Sequence, residues 1–400
     1  MLILVINAGS SSIKYQLLEM NSSVVISKGL VERIGTTGGT ITHRFLKDNV
    51  LEKKVIKQEF PTHVEGMKLI VELLTDKEIG VINDPSEIKA VGHRVVQGGE
   101  FSIPTLISDE VKNEIKAMSP LAPLHNPANL LGIEVSQQFF PDTPQVAVFD
   151  TAFHQTMPPK AYRYAIPANF YTDHKIRAYG AHGTSHKYVR AQAASYLKNN
   201  NAKVITVHLG NGSSITAVDE HGHSIDTSMG FTPLSGLVMG TRSGDIDPSV
   251  LFYMVRECGV KFEDLDTLLN KNSGMLGMTG KSDARDVEAA YYNGDTDSVL
   301  CLDLYAYRVK KYIGSYLASL NGADAIVFTA GIGENDFNLR SLICRDLDFF
   351  GIKLDEDKNK NLNSPDDVVE VQTNDSKIKI LVIPTNEELE IANEALKFIS

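Results

Sequence analysis

The apolar positions fall into short runs separated by polar turns: residues 2–6, 90–96, 146–149, 204–209, 325–328 and 378–383. Runs of this length predict β-strands, and several close on a glycine or an acid. Helical periodicity lies between them. Over 184–197, Val189, Ala193, Tyr196 and Leu197 share one face, with Thr184 or Ser185 as N-cap. After Pro384, Thr385-Asn386-Glu387-Glu388 reads as a capping box, and Leu389, Ala392, Leu396 and Ile399 form an apolar stripe. Strands alternating with helices predict an α/β architecture.

A weak internal repeat sharpens this picture. Val5-Ile6-Asn7-Ala8-Gly9-Ser10-Ser11-Ser12-Ile13 is similar to Val207-His208-Leu209-Gly210-Asn211-Gly212-Ser213-Ser214-Ile215, about half a chain away. Both read as strand, small polar turn, strand, which suggests two related halves with their turns facing a cleft. Short β-turns also look alike by chance, but spacing and context agree here. The polar, acidic stretch 353–375 reads as a surface excursion.

Composition narrows the class. A chain of 400 residues suits two domains. Hydrophobic residues at 42% and charged ones at 22% are ordinary globular values. The net charge of −11 and the lack of a Lys/Arg stripe argue against a nucleic-acid partner. No apolar run approaches the length of a membrane span, and the short apolar start lacks a basic leader. Three scattered cysteines without a CxxC fit a reducing, cytoplasmic setting.

Three small-residue turns carry the first chemical signal. Asn7-Ala8-Gly9-Ser10-Ser11-Ser12-Ile13-Lys14 offers hydroxyls, backbone N–H groups and an ammonium to anionic oxygens. His208-Leu209-Gly210-Asn211-Gly212 and Thr329-Ala330-Gly331-Ile332-Gly333-Glu334-Asn335 each follow an apolar run, where glycines permit close approach of a phosphate or a base. Arg94, Asp150, His182, Arg242 and Glu387 also sit near predicted strand ends. Singly, each has a bland role: an ion pair, a turn cap, a core histidine or a helix-dipole partner. Together they form the inventory for moving a phosphoryl group with a hard metal ion.

With these motifs in view, the chain resembles the acetokinase family, from near its first residue to near its last. The resemblance is carried by 7–14, 92–96, 121–127, 149–158, 182–186, 208–212, 226–248, 329–335 and 383–389. It implies duplicated ribonuclease H-like (actin-like ATPase) α/β domains around a central cleft. The first would span 1–150 plus the C-terminal helix 385–400, and the second 151–384. It implies reversible phosphoryl transfer between ATP and acetate, giving acetyl phosphate and ADP, with Mg²⁺ and with Mn²⁺ as a substitute, in a cytoplasmic homodimer. Carried over by residue, Asp150, His182 and Arg242 would be catalytic. Arg94 would bind the carboxylate, with Val96, Leu124, Ala181 and Pro233 around its methyl group. Asn7 and Glu387 would hold the metal. Lys14, Ser10 and Ser12 would meet ATP phosphate. His208, Leu209, Gly210, Asn211, Gly212, Asp283, Ala284, Arg285, Gly331, Ile332, Gly333, Glu334 and Asn335 would hold the nucleotide.

The chain departs from the family pattern in places. Gln97 stands where histidine is common, Ser235 where glutamate is common, and the segment 279–285 is one residue short with the small Ala284 beside the base. Ala181 replaces a usual phenylalanine, which leaves room beside the methyl group and favours use of propionate. Two alternatives therefore accompany the acetate reading: a propionate or butyrate kinase, and a non-enzymatic nucleotide-driven switch. A serine hydrolase built on Gly183-Thr184-Ser185-His186 lacks the GxSxG elbow and leaves the glycine turns unexplained.

Overall fold

Central strands with apolar side chains at successive positions need cover on both faces, and both halves of the chain meet that need in the same way. A computed structural model describes residues 1–362 and 365–399. The chain forms two compact units, Met1–Gln155 joined by the C-terminal segment from Asn386, and Thr156–Thr385.

The first unit holds an eight-stranded sheet. Its strands are β1 (Leu2–Gly9), β2 (Ser12–Glu19), β3 (Val24–Glu32), β4 (Thr40–Lys47), β5 (Val50–Lys57), β6 (Ile88–Val95), β7 (Thr105–Leu106) and β8 (Gln145–Phe149). They lie in the order β5-β4-β3-β2-β1-β6-β8-β7. β1 pairs antiparallel with β2 and parallel with β6, and β6 runs parallel with β8. Alternation along β1 divides its side chains between two cores. Leu4 and Ile6 pack with Met67 and Ile70 of helix His63–Leu74. Ile3 and Val5 pack with Ile391, Ala392 and Ala395 of helix Glu387–Leu396.

The second unit repeats the scheme with β9 (Val204–Leu209), β10 (Ser213–Val218), β11 (Ser224–Thr227), β12 (Ala325–Thr329), β13 (Val369–Glu370) and β14 (Lys379–Val382). Their order is β11-β10-β9-β12-β14-β13, with β9–β10 antiparallel and β9, β12 and β14 parallel. The five-strand pattern β3-β2-β1-β6-β8 of the first unit is thus matched by β11-β10-β9-β12-β14 of the second. This is the duplicated ribonuclease H-like topology of the actin-like ATPases. Ile205, Val207 and Leu209 face Tyr305, Val309 and Ile313 of the long helix Thr296–Leu320. Val204 faces Val189 and Ala193 of helix Gly183–Tyr196 on the other side.

Some local expectations are corrected. The helix read from 184 starts at Gly183, and its N-cap is His182 in a left-handed conformation (φ 57°), with no side-chain cap bond; neither Thr184 nor Ser185 caps it. Before helix Glu387–Leu396 the cap is Asn386, which accepts from the Leu389 N–H, so Thr385 does not close a capping box. The buried face of that helix centres on Ile391, Ala392 and Ala395, with Leu389, Leu396 and Ile399 at its margin. The stretch 353–375, two of whose residues (363 and 364) lie outside the described residues, is more than a surface excursion. It supplies edge strand β13 and the fully buried Asn359.

Close packing places the first small-residue turn. Gly132 of helix Asn126–Phe139 approaches Ala8 so closely that an added Cβ would lie 2.4 Å from the alanine Cβ. Gly132→Ala is expected to destabilise by about 1–3 kcal/mol through overpacking, lowering the thermal midpoint by about 2–4 °C per kcal/mol. Calorimetry checks this, and an unchanged midpoint would contradict the packing.

Candidate active site

Parallel strands end together, so polar groups that cannot enter a two-faced core collect at their carboxyl ends. In the first unit Asn7 lies near the end of β1, opposite Lys14 in register. Arg94 lies near the end of β6, and Asp150 directly follows β8, its N–H donating to the Val95 carbonyl at 2.9 Å. Arg94 donates to Asp150 from Nη2 at 2.7 Å and from Nε at 3.2 and 3.3 Å. Glu387 Oε2 lies 3.7 Å from the same Nε. Lys14 is ion-paired with Glu388.

The electrostatics follow from this crowding. Asp150, first, and Glu387 hold the Arg94 guanidinium protonated against the desolvation it suffers. Desolvation pushes the Glu387 carboxyl up to about 7; the Arg94 charge opposes that rise, while Asp150 and Glu388 add to it. Asn129 aligns the cluster from behind. Its Nδ2 donates to the Ala8 carbonyl at 2.8 Å, and its Oδ1 accepts from the Val96 N–H at 3.1 Å. One buried amide therefore fixes the ends of β1 and β6 relative to each other. Neither Asn129 nor its neighbour Asn126, which binds the Gln97 backbone, was among the expected site residues.

In the second unit His182 and Arg242 converge over Gly212. A Cβ there would lie 3.2 Å from His182 Cε1 and Nε2 and 3.5 Å from Arg242 Nη1. This turn needs glycine for close approach. Arg242 has no ion-pair partner among the described residues; its Nη1 donates to the Pro233 carbonyl at 3.3 Å and contacts Met239 Sδ at 3.6 Å. Desolvation lowers its pKa from the usual arginine value. The His182 ring stacks on His208 with centroids 4.3 Å apart.

A cavity of about 590 Å³ opens in the same unit, lined by Gly210, Asn211, Gly240, Met275, Ser282, Asp283, Ala284, Arg285, Glu288, Gly331, Ile332, Asn335 and Asp336. Its size and three backbone turns suit a nucleotide. Of the expected nucleotide residues, Gly210, Asn211, Asp283, Ala284, Arg285, Gly331, Ile332 and Asn335 line it. His208, Leu209, Gly212, Gly333 and Glu334 do not. Leu209 points into the core, and His208 meets Ser185 at 2.8 Å. Glu334 turns onto the backbone, accepting from Ala330 N–H at 2.8 Å and Thr385 N–H at 3.0 Å. Glu288 and Asp336 were missed, since only folding brings a mid-helix acid to a helix N-cap.

The remaining expected residues divide between the units. Ser10, Ser12, Val96 and the exposed Leu124 belong to the first, Pro233 and Ala181 to the second. Ala181 is buried against Met229 and Met239. For Mg²⁺, the donor set fits a hard cation: Glu387 and Asp150 supply carboxylate oxygens beside one guanidinium, and Asn7 carries an amide oxygen near the end of β1. No three His, Cys, Asp or Glu side chains among the described residues form a cage, and magnesium usually relies on one or two carboxylates plus phosphates and water.

Duplicated ribonuclease H-like units with a nucleotide-sized cavity at the strand ends place the protein in the actin-like ATPase fold class. The model of the Acetokinase family matches residues 2–393, and the chain belongs to that family. It is 53% identical over 400 residues to an acetate kinase of Flavobacterium johnsoniae, covering all of both chains. Its fold is similar to a crystal structure of Porphyromonas gingivalis acetate kinase (TM-score 0.93, 42% identity, all of both chains). It is also similar to a propionate kinase from Francisella tularensis (TM-score 0.91, 45% identity, 99% of both chains).

The cavity acids give a test. Burial and the neighbouring Asp336 raise the Glu288 carboxyl to about 7, and burial raises Asp336 as well. A raised folded pKa favours the protonated form, so stability from this pair is present at low pH and is lost as pH rises through about 7. Glu288→Gln is expected to gain stability relative to the parent between pH 5 and pH 8 in urea titrations. A pH-independent difference would contradict the assignment.

Proposed function

We propose that this chain reversibly transfers the γ-phosphoryl group of ATP to acetate, giving acetyl phosphate and ADP. The observation that carries the reading is Arg94. Asp150 engages its Nε and one Nη2 edge and fixes the guanidinium plane, which leaves further N–H groups to take a carboxylate. Full-length similarity to enzymes named acetate kinases supports the same reading.

The chemistry suits such a site. Acetate is already an anion, so a carboxylate oxygen can attack the γ-phosphorus while the bond to the β–γ bridging oxygen breaks and leaves with ADP. No strong general base is needed. The obstacle is charge repulsion, and the proposed roles address it. Arg94 binds the acceptor, and Asp150 orients Arg94. Arg242 and His182 stabilise charge on the transferring group. The turns at 210–211 and 331–332 hold the nucleotide. Lys14, with Ser10 and Ser12 on the same turn, meets phosphate after exchanging its Glu388 partner. Asn7 and Glu387 would hold Mg²⁺, which when bound offsets phosphate charge. With a net charge of −11, attraction of these anions is local to the site.

A propionate acceptor is the second reading. It is supported by the small Ala181, which packs with the flexible Met229 and Met239. One methylene is worth about 1–3 kcal/mol in an apolar pocket. The reading also carries a cytoplasmic homodimer. Val250, Phe252, Tyr253 and Val255 of helix Pro248–Glu257 are exposed, which suits cover by a second copy. No described helix is long and apolar enough to cross a membrane.

Trapping acyl phosphate as hydroxamate tests the activity: an ATP-dependent signal with acetate is expected, and ATP hydrolysis without it would favour a switch. Arg242→Ala should lower kcat by about 10²–10³-fold with little loss of stability, and near-normal turnover would refute its role. Comparing kcat/KM for acetate, propionate and butyrate in the parent and Ala181→Phe decides the acceptor. The parent should use propionate well and the variant poorly. Light scattering should give a dimer, with Phe252→Asp/Tyr253→Asp monomeric.

A further inference from the structure

Period-two alternation puts Val204, Thr206 and His208 of β9 on the sheet face covered by helix Gly183–Tyr196. Ser214 and Thr216 of β10 lie directly opposite His208 and Thr206, so they share that face. Two helix positions meet this polar ladder. They are His182 at the N-cap and His186 four residues on, one turn apart, with the His186 N–H donating to the His182 carbonyl at 3.0 Å. Ser214, His186 and Thr206 are fully buried.

These groups form one chain of hydrogen bonds. Thr206 Oγ1 is 2.7 Å from His186 Nδ1. His186 Nε2 is 2.7 Å from Ser214 Oγ, and the same oxygen is 2.9 Å from His182 Nδ1. A hydroxyl has one proton, so the direction at Ser214 is tied to the direction at Thr206. Thr206 has two acceptors within reach: His186 Nδ1 at 2.7 Å and the Thr216 carbonyl at 3.5 Å. The direction of the chain follows once the Thr206 proton is placed in the shorter contact and not on the distant Thr216 carbonyl. His186 Nδ1 is then an acceptor, and its proton sits on Nε2 and is donated to Ser214. The Ser214 proton is left for His182 Nδ1, and His182 carries its own proton on Nε2.

We propose that Ser214, backed by His186 and Thr206, is a positioning residue that holds His182 in the Nε2–H tautomer. That tautomer presents an N–H donor on the ring edge that approaches Gly212 and Arg242. Without Ser214 the neutral ring can place its proton on Nδ1 and present a lone pair instead, which would repel phosphoryl oxygens. Stacking on His208, itself bonded through Ser185 to Thr385 at 2.8 Å, restrains the ring plane but cannot select the tautomer. The Ser214 hydroxyl, bonded directly to Nδ1, can. The inference rests on the reading above that His182 faces the transferring group.

The tautomer is read without activity, by ¹⁵N–¹H spectroscopy of histidine-labelled, ligand-free protein, with His182 assigned through His182→Gln. A protonated Nε2 and a bare Nδ1 are expected, and a protonated Nδ1 would overturn the proposal even in an active enzyme. Ser214→Ala should give mixed tautomers and lower kcat by about 10–100-fold, with KM for ATP within about twofold. Ser214→Thr, which keeps the hydroxyl, should recover most of kcat and the single tautomer. In a His182→Ala background, Ser214→Ala should add no further loss. Parent-like kcat in Ser214→Ala, or full additivity with His182→Ala, would overturn the proposal. Failure to form acyl phosphate would instead overturn the functional reading and leave the spectra to judge the tautomer.

Discussion

The structure depends on sheets whose central strands are buried on both faces. β1 and β9 each send alternate side chains into two apolar cores, so neither face of the sheet has room for an unpaired charge. Polar chemistry is displaced to the carboxyl ends of the parallel strands. Asn7, Arg94 and Asp150 gather there in the first unit, and His208, Gly331 and Thr385 in the second. Because the strand order is the same in both units, the same edge was available twice for different work. One became an ion-pair cluster around a guanidinium, the other a glycine-lined cavity.

Rigidity at these edges comes from side-chain hydrogen bonds as much as from ion pairs. Asn129 ties two strand ends, Glu334 ties the turn after β12 to the residue after β14, and Ser214 ties two histidines. Each is satisfied, so each specifies one arrangement instead of tolerating several. Arg340 follows the same rule: fully buried, it donates to the Gly333 carbonyl and to Asn359, which braces the turn at the cavity. Burial lowers its pKa to about 10, so it remains a cation near neutral pH.

Ion pairs inside the site are poised differently. Arg94 is shared by Asp150 and Glu387, and Lys14 is held by Glu388. Such pairs keep cations in place against their desolvation cost until an anionic ligand competes for them. Among the described residues Arg242 has no carboxylate partner; its Nη1 meets a carbonyl and a thioether.

Much of this was legible in the chain. The strand runs, the two related turns and the acids and arginines beside them follow from local pattern, since period and turn chemistry are properties of neighbouring residues. The α/β class and the membership of the acetokinase family were legible for that reason. Local pattern misjudged the caps: His182 replaces Thr184 or Ser185, and Asn386 replaces Thr385, because helix starts were set by tertiary partners. Which nucleotide-turn residues line the cavity, the joining of Glu288 to Asp336, and the bracing by Asn129 and Ser214 were decided only by folding. Those groups meet across tens to more than a hundred residues, and nothing in one-dimensional spacing encodes which side chains a pair of packed layers will bring within hydrogen-bond reach.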